Sequence, residues 1–94
     1  MKVYLAYRSY DNDMSDHHDY GETLLGVHAT LEGAISKCKQ VAENDQQHDE
    51  HNEIEILQSI VCEKIRDWTI YNVAKVYNSW EYNEYYVEEA EIEQ

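Results

Sequence analysis

The sequence predicts an α+β domain in which a small antiparallel β-sheet, built from an N-terminal hairpin and one or more C-terminal strands, packs on one or two helices. Three observations predict this class. Both ends of the chain alternate apolar and polar residues, which is typical of half-buried strands. The segment after residue 30 spaces its apolar residues as a helix does. Proline is absent and all three glycines precede residue 34, so nothing interrupts regular elements later in the single domain, 1–94.

The first 30 residues predict the hairpin. KVYLAYRSY (2–10) alternates in polarity and is rich in aromatic residues, so it predicts a strand. TLLGVHAT (23–30) predicts the second strand, with Leu25 and Val27 on one face. The acidic segment 11–22, DNDMSDHHDYGE, is then a connection longer than a tight turn requires.

A helix is predicted over residues 31–44. Thr30 is a favourable N-cap, and Glu32 lies in the first turn, where the helix dipole favours an acid. The apolar positions at helical spacing are Leu31, Ala34, Ile35, Cys38, Val41 and Ala42. We therefore expect an amphipathic helix with one face on the sheet.

The second half of the chain predicts a helix followed by strands. Residues 44–53 are all polar and predict a loop or the solvated start of a second helix. That helix is expected to run to about residue 67, with one face formed by Ile54, Leu57, Val61, Ile65 and Trp68. The segment 69–77 is rich in β-branched and aromatic residues and predicts a strand, with an extension of the helix as the alternative. The tail 85–93 predicts a last strand with an acidic outer face.

The two cysteines, Cys38 and Cys62, lie in apolar periodic stretches, so both are expected to be buried thiols in a reducing compartment. The N-terminus has Tyr and Arg where a signal peptide needs an unbroken apolar run. No stretch approaches the length that spans a membrane. These features predict a soluble cytoplasmic protein.

The net charge limits the class of partner. Twenty acidic residues against seven basic ones give a formal charge of −13. Nucleic acids and anionic membranes are poor partners, because binding to phosphates requires a basic patch. A basic protein surface is the expected complement. Much of the negative charge lies in three blocks, 11–22, 46–55 and 81–94.

The acidic segment 11–22 invites comparison with a calcium-binding EF-hand loop. The residues at the ligand positions of that loop are Asp11, Asp13, Ser15, His17, Asp19 and Glu22. However, Asp16 occupies the position that needs glycine, and the flanking segments predict strands instead of helices. A solvated acidic loop is therefore the favoured interpretation.

Zinc binding is a further alternative. The candidate ligands are His17 and His18 with Asp16 or Asp19, or His48 and His51 with Glu50. Adjacent histidines in extended backbone point to opposite faces, and neither cysteine has a neighbour at ligand spacing. The sequence also lacks a glycine-rich phosphate loop, a nucleophile elbow and an arranged Ser-His-Asp set. We therefore expect no metal site, no cofactor and no enzymatic activity.

The C-terminal segment is the strongest candidate for a binding site. Glu89, Glu91 and Glu93 alternate along the predicted last strand, so they project from one face about 7 Å apart, comparable to successive phosphates along one nucleic-acid strand. Aromatic residues cluster just before them: Trp80, Tyr82, Tyr85 and Tyr86. Tyrosine and tryptophan are frequent anchors of protein interfaces, with packing on the sheet as their alternative role.

Three stretches of the chain resemble a family of small phage and bacterial domains: KVYLAYRSY, LLGVHATLEGAISKC and YYVEEAEIE. The family pattern is an opening strand, an acidic loop, an "LGVFST.EKA" motif entering a helix and a closing "YYIEEYEV" strand. The matching residues are Leu25, Gly26, Val27, Ala29, Thr30, Leu31 and Ala34 in the middle, and Tyr86, Val87, Glu88, Glu89 and Glu91 at the end. Relative to the simplest members of this family, residues 45–80 would be an insertion. The resemblance implies the fold, gives no active site and suggests a mobile-element origin, where small acidic proteins often inhibit host defence nucleases.

Together these features predict an acidic inhibitor of anti-CRISPR or related anti-defence type. It is expected to act as a nucleic-acid mimic that occupies the basic surface of a nucleic-acid-binding host enzyme. The expected partner-binding residues are Glu88, Glu89, Glu91, Glu93, Trp80, Tyr82, Tyr85, Asp11, Asp13, Asp19 and Glu22. An acidic interaction or accessory module without mimicry is the alternative, and a metal-binding protein comes third.

Overall fold

The computed structural model describes residues 1–14 and 17–92, without the side chains of residues 12–14, 17–19, 58–61 and 65. Its elements are β1 (Lys2–Met14), β2 (His17–His28), α1 (Leu31–Gln47), β3 (Glu53–Ile65), β4 (Trp68–Tyr77) and β5 (Glu81–Glu91). The strands form one antiparallel sheet in the order β2-β1-β5-β4-β3. The α+β prediction is confirmed, with one helix in the described part of the chain.

The helix links the two edges of this sheet. β2 and β3 lie at opposite edges, and α1 is the element between them in the chain. Its 17 residues give a length of about 25 Å, which exceeds the roughly 19 Å between the edges of five adjacent strands. α1 accordingly contacts every strand. One face of the sheet is therefore covered by the helix, and the opposite face is called the uncovered face below.

The core lies between α1 and the covered face. The helix contributes Ala34, Cys38 and Ala42, which are fully buried, as the predicted helical spacing requires. Small side chains at these positions let the helix approach the sheet closely. The sheet contributes the buried residues Ala6, Val73, Ala74, Val76, Tyr85 and Val87. Thr30 caps the helix as predicted, and its hydroxyl accepts a hydrogen bond from the Gly33 N–H at 3.1 Å.

The N-terminal hairpin is longer than predicted. β1 continues to Met14 and β2 begins at His17, and the two strands remain paired through the acidic segment. The predicted connection over 11–22 is therefore wrong for most of its length. Charged residues are compatible with a strand when solvent is on one side of the sheet, so composition alone did not reveal the pairing.

The predicted second helix is also wrong, because residues 53–65 form β3. The register shows the reason for the error. Ile56 on β3 pairs with Ala74 on β4, and Val61 pairs with Asn72. More residues therefore separate the two pairs on β3 than on β4, and the extra residues of β3 form a bulge. A bulge changes the phase of a two-residue repeat, and the interrupted pattern then imitates helical spacing. β4 confirms the strand predicted at 69–77, and β5 begins at Glu81, before the predicted start of the last strand.

The two cysteines have different environments. Cys38 is fully buried, and its thiol donates to the Tyr86 carbonyl over 3.4 Å. Burial raises the pKa of the Cys38 thiol to about 11. Cys62 lies on β3 and is exposed, so the expectation that it is buried is wrong. The error follows from the helix that was predicted for this segment.

Candidate functional site

The uncovered face carries rows of side chains that follow from the strand register. Directly paired residues of antiparallel strands point to the same side of a sheet. On β5, Tyr85 and Val87 are buried toward α1, so Glu84, Tyr86 and Glu88 belong to the uncovered face. Within the described part of the chain, no other element packs on this face.

One row crosses all five strands and is dominated by carboxylates. From β3 to β2 its members are Glu55, Lys75, Glu84, Ser9 and Glu22. Lys75 is therefore flanked on both sides by glutamates, and its Nζ lies 5.9 Å from the centroid of the Tyr82 ring. The hydrogen bond and charge of Tyr82, followed by the nearby glutamates, raise the pKa of Lys75.

The next row toward the β4–β5 turn combines acids with aromatic rings. From β3 to β2 its members are Glu53, Tyr77, Tyr82, Asp11 and Tyr20. The rings of Tyr77 and Tyr82 are 6.2 Å apart in a tilted arrangement. The charge of Glu53, together with burial and a hydrogen bond between the two side chains, raises the pKa of Tyr77.

An aromatic stack occupies the middle of the uncovered face. Tyr7 of β1 and Tyr86 of β5 are stacked with their ring centroids 5.4 Å apart. Burial raises the pKa of Tyr86, and the hydrogen bond to Glu22 and the charge of Glu88 raise it further. The acidic N-terminal hairpin and the C-terminal strand thus meet around this stack, through Glu22 and Glu88.

Charge is distributed very unevenly between the two sides of the sheet. The described acidic side chains on the uncovered face are Asp11, Glu22, Glu53, Glu55, Glu63, Glu84 and Glu88. Among the described side chains of this face, Lys75 is the sole Lys or Arg. The other basic residues lie on the covered face, on α1 or in the β3–β4 turn: Lys2, Arg8, Lys37, Lys39, Lys64 and Arg66. The uncovered face is therefore strongly acidic.

The predicted C-terminal site is divided between the two faces. Glu88 and Tyr82 lie on the uncovered face, as a partner-binding role requires. Glu89 and Glu91 do share a face, but it is the covered one. Glu89 there pairs with Lys2 at 3.7 Å, and Glu91 lies 4.0 Å from the N-terminal amine. Glu93 lies outside the described residues.

Tyr85 requires a correction, because it is a core residue and not a surface anchor. It is 1% exposed, and its hydroxyl donates a hydrogen bond to Asp45 near the end of α1. Trp80, in contrast, lies in the turn between β4 and β5 and is 62% exposed. Of the four predicted aromatic anchors, Trp80 and Tyr82 are exposed, and Tyr86 belongs to the stack on the uncovered face.

The acidic segment contributes to the same surface. Asp11 and Glu22 lie on the uncovered face. Asp13 and Asp19 belong to the paired strands, and their side chains lie outside the described residues. Among the side chains that the structure describes, no group of three or more His, Cys, Asp or Glu is placed to hold a metal ion. The side chains of the predicted ligands His17 and His18 lie outside the described residues.

Sequence reasoning did not find the polar network at the end of α1. Arg8 donates to the Asp45 carboxylate over 3.2 Å, and Tyr85 donates to the same oxygen. Asn52 donates to the backbone carbonyl of Asp45 over 2.9 Å, and Asn78 donates to Asn52 over 2.7 Å. These bonds connect α1, the start of β3 and the β4–β5 turn. In the sequence these are isolated polar residues, and apart from the bond between Asn52 and Asp45 their partners are 26 to 40 positions away.

No family model, curated protein or solved structure matches the chain. No described helix is both long and apolar enough to cross a membrane.

Proposed function

We propose that this chain is an acidic binding protein that uses the uncovered face of its sheet to occupy the basic surface of a nucleic-acid-binding host enzyme. In this proposal it acts in the host cytoplasm as an inhibitor of the anti-CRISPR or anti-defence type, as its resemblance to small phage domains suggests. The observation that carries the proposal is the segregation of charge, since carboxylates and tyrosines share a face on which Lys75 is the only described base.

Electrostatics favours this kind of partner. Strands about 4.8 Å apart and side chains repeating every 7 Å or so along a strand give a dense, regular field of carboxylates. A protein surface that binds phosphates is positively charged, so it attracts an array of carboxylates as it attracts nucleic acid. Glu84 and Glu88, on the central strand, lie where the partner would approach most closely.

The tyrosines supply the second part of an interface. Tyr7 and Tyr86 form a stacked pair on the uncovered face, and Tyr82 is exposed on the same face four residues before Tyr86 on β5. Tyrosine gives a large contact area at a low cost in side-chain entropy, because its ring is rigid. Long-range attraction by the carboxylates and short-range contact by the rings are therefore available on one surface.

One observation favours a second candidate, an acidic interaction module without mimicry. Leu24 and Val27 on β2 are 51% and 57% exposed on the uncovered face. Apolar residues of this kind would contribute to a conventional protein interface. Such a module would bind a partner whose surface need not contact nucleic acid.

The test begins with recovery of the bound protein from a bacterial lysate, followed by purification and titration at two salt concentrations. We expect affinity to fall steeply with salt, and excess DNA or RNA to compete for the partner. The E84Q/E88Q double variant should slow association about tenfold at low salt. The matched control, E43Q/E50Q, removes the same charge from exposed positions on or after α1.

Two outcomes would remove the support for mimicry. The first is binding that does not respond to salt or to nucleic acid, which would favour the plain interaction module. The second is an equal loss of association rate in the two double variants, because net charge alone would then explain the effect.

A further inference from the structure

A cleft opens where β3 begins and β4 ends. It has a volume of about 620 Å³ and is lined by His51, Glu53, Tyr77, Asn78, Ser79 and Trp80. Two of these residues supply aromatic rings and Glu53 supplies a carboxylate, whereas no lining residue is Lys or Arg. An aromatic wall beside a carboxylate recognises an organic cation, because the cation interacts favourably with both the ring faces and the negative charge.

The neighbouring row on the same face shows that this chemistry suits a cation. Lys75 lies 5.9 Å from the Tyr82 ring centroid and between Glu55 and Glu84 in the strand register. The cleft repeats this combination of tyrosine and glutamate one row away, with the exposed ring of Trp80 in addition. A cation from outside the chain would therefore find there an environment like the one that Lys75 occupies.

The two walls of the cleft are held in place by hydrogen bonds. Asn78 accepts hydrogen bonds from the backbone N–H groups of Trp80 and Glu81 at 2.8 and 2.9 Å, which fixes the turn that carries the indole. The Asn78 amide also donates to Asn52 over 2.7 Å, and Asn52 immediately precedes Glu53. The aromatic wall and the acidic wall are thus fixed relative to each other, which lowers the entropic cost of binding.

The carboxylate and the inner ring are also coupled. Glu53 and Tyr77 form a directly paired position on β3 and β4, and the charge of Glu53 raises the pKa of the Tyr77 hydroxyl. His51 at the rim lies 3.7 Å from Glu50, and both side chains are largely exposed. Glu53 is exposed and is the one carboxylate among the residues that line the cleft, so it can accept hydrogen bonds from a ligand.

We propose that this cleft binds the side chain of an arginine on the basic partner. The inference rests on the proposed function, because it identifies the contact that the partner makes at one end of the uncovered face. Arginine fits better than lysine, since a planar guanidinium can stack on an aromatic ring while its N–H groups donate to a carboxylate. Trp80 and Tyr77 provide the rings, and Glu53 provides the acceptor.

The test uses single amino acids, so it needs no identified partner. In a Trp68→Phe background, Trp80 is the remaining tryptophan and its fluorescence reports on the cleft. The probes are N-acetylarginine amide, its lysine counterpart and its uncharged citrulline counterpart. We expect a saturable change with arginine, a weaker response with lysine and none with citrulline. Glu53→Gln should weaken arginine binding about fivefold to tenfold.

The matched control is Glu63→Gln, because Glu63 is an exposed glutamate on the same strand and the same face, away from the cleft. This change should leave arginine binding unaltered. Equal responses to arginine and citrulline, or equal losses in the two variants, would overturn the proposal. Lysine binding as tight as arginine binding would overturn the choice of arginine.

The two proposals fail in different ways. The arginine probe could bind while the E84Q/E88Q variant associates with the purified partner as fast as the unchanged protein. In that case the proposed function fails, and the proposal that the cleft binds arginine stands. If that association depends on Glu84 and Glu88 while the arginine probe does not bind, the arginine cleft fails. Trp80→Ala should, under the present proposal, speed dissociation of the partner about tenfold or more.

Discussion

Tyrosine occurs in opposite environments on the two faces of the sheet, buried on the covered face and partly exposed on the uncovered face. On the covered face, Tyr85 is buried among alanines and valines, and its hydroxyl is bonded to Asp45. On the uncovered face, Tyr7 and Tyr86 stack at partial exposure among glutamates. The chain has no phenylalanine, so tyrosine must serve both sides. A buried tyrosine therefore requires a protein acceptor for its hydroxyl, whereas water can also serve the hydroxyl of a partly exposed one.

The acceptor on the covered face is itself stabilised. Asp45 receives hydrogen bonds from Arg8 and Tyr85 on the same carboxylate oxygen. A partly buried carboxylate would otherwise be costly, and the guanidinium offsets its charge. The uncovered face has no such requirement, because water can solvate its carboxylates. Charge is therefore paired on one side of the sheet and accumulated on the other.

Among substitutions on the two faces, those at Tyr85 should have the greatest effect on stability. Tyr85→Ala should lower the free energy of unfolding by about 3–5 kcal/mol, because it leaves a cavity in the core and removes a donor to Asp45. Tyr82→Ala, on the uncovered face, should cost well under about 1 kcal/mol. Chemical denaturation of both variants measures the difference. Tyr85→Phe isolates the hydroxyl and should cost about 1–2 kcal/mol. Equal losses in the two alanine variants would contradict the assignment of the faces.

The cysteines provide the next largest effect. The thiolate is the reactive form, so the raised pKa of Cys38, about 11, and its burial should both slow its modification. Exposed Cys62 should react with a thiol reagent at least about a hundredfold faster in the native protein at neutral pH. Mass spectrometry of a labelling time course distinguishes the two sites. Denaturation should make the rates similar, and fast native labelling of Cys38 would contradict the packing of α1.

Much of the covered face could be predicted from the sequence. The spacing of Ala34, Cys38 and Ala42 identified the buried side of α1, and Thr30 identified its first turn. These signals are local, since capping and helical periodicity depend on residues within a turn or two. The strand at residues 69–77 was predictable for a similar reason, because its composition favours extended backbone.

The uncovered face could be predicted only in part. The acidic blocks and the aromatic cluster were visible, but the row that joins Glu55, Glu84 and Glu22 depends on pairing between distant strands. The face of Glu89 and Glu91 was misassigned, because alternation separates two faces without showing which one the helix covers. The bulge in β3 interrupts the two-residue repeat of the strand, so the spacing of its apolar residues resembled that of a helix.

Replacing a basic residue on either face, Arg8 or Lys75, should affect stability less than replacing Tyr85 by alanine. Arg8→Gln should lower the free energy of unfolding by about 1–3 kcal/mol, since it leaves Asp45 without its charged partner in a partly buried site. Lys75→Gln should change the melting temperature by less, because Lys75 lies on a face open to solvent, where its pairing with Glu55 and Glu84 is screened. Thermal unfolding at low and high salt measures both. A larger loss for Lys75→Gln would mean that the glutamates of the uncovered face repel one another strongly enough to require a cation.

The Lys75→Gln variant should also associate faster with the proposed partner, although the substitution does not favour stability. Lys75 is the one described base on the uncovered face, so it repels a basic partner at the place where the proposed function requires attraction. Lys75→Gln should therefore speed association by about twofold to fivefold at low salt, and the gain should diminish as salt screens the charges. Lys37→Gln, on the helix at the opposite side of the sheet, is the matched control, because it removes the same charge far from the proposed interface. Stopped-flow measurements with the purified partner give both association rates.

If the two variants are equally fast, the partner responds to the net charge of the chain and not to the uncovered face. If Lys75→Gln slows association, the partner is not the basic surface that this face is proposed to bind.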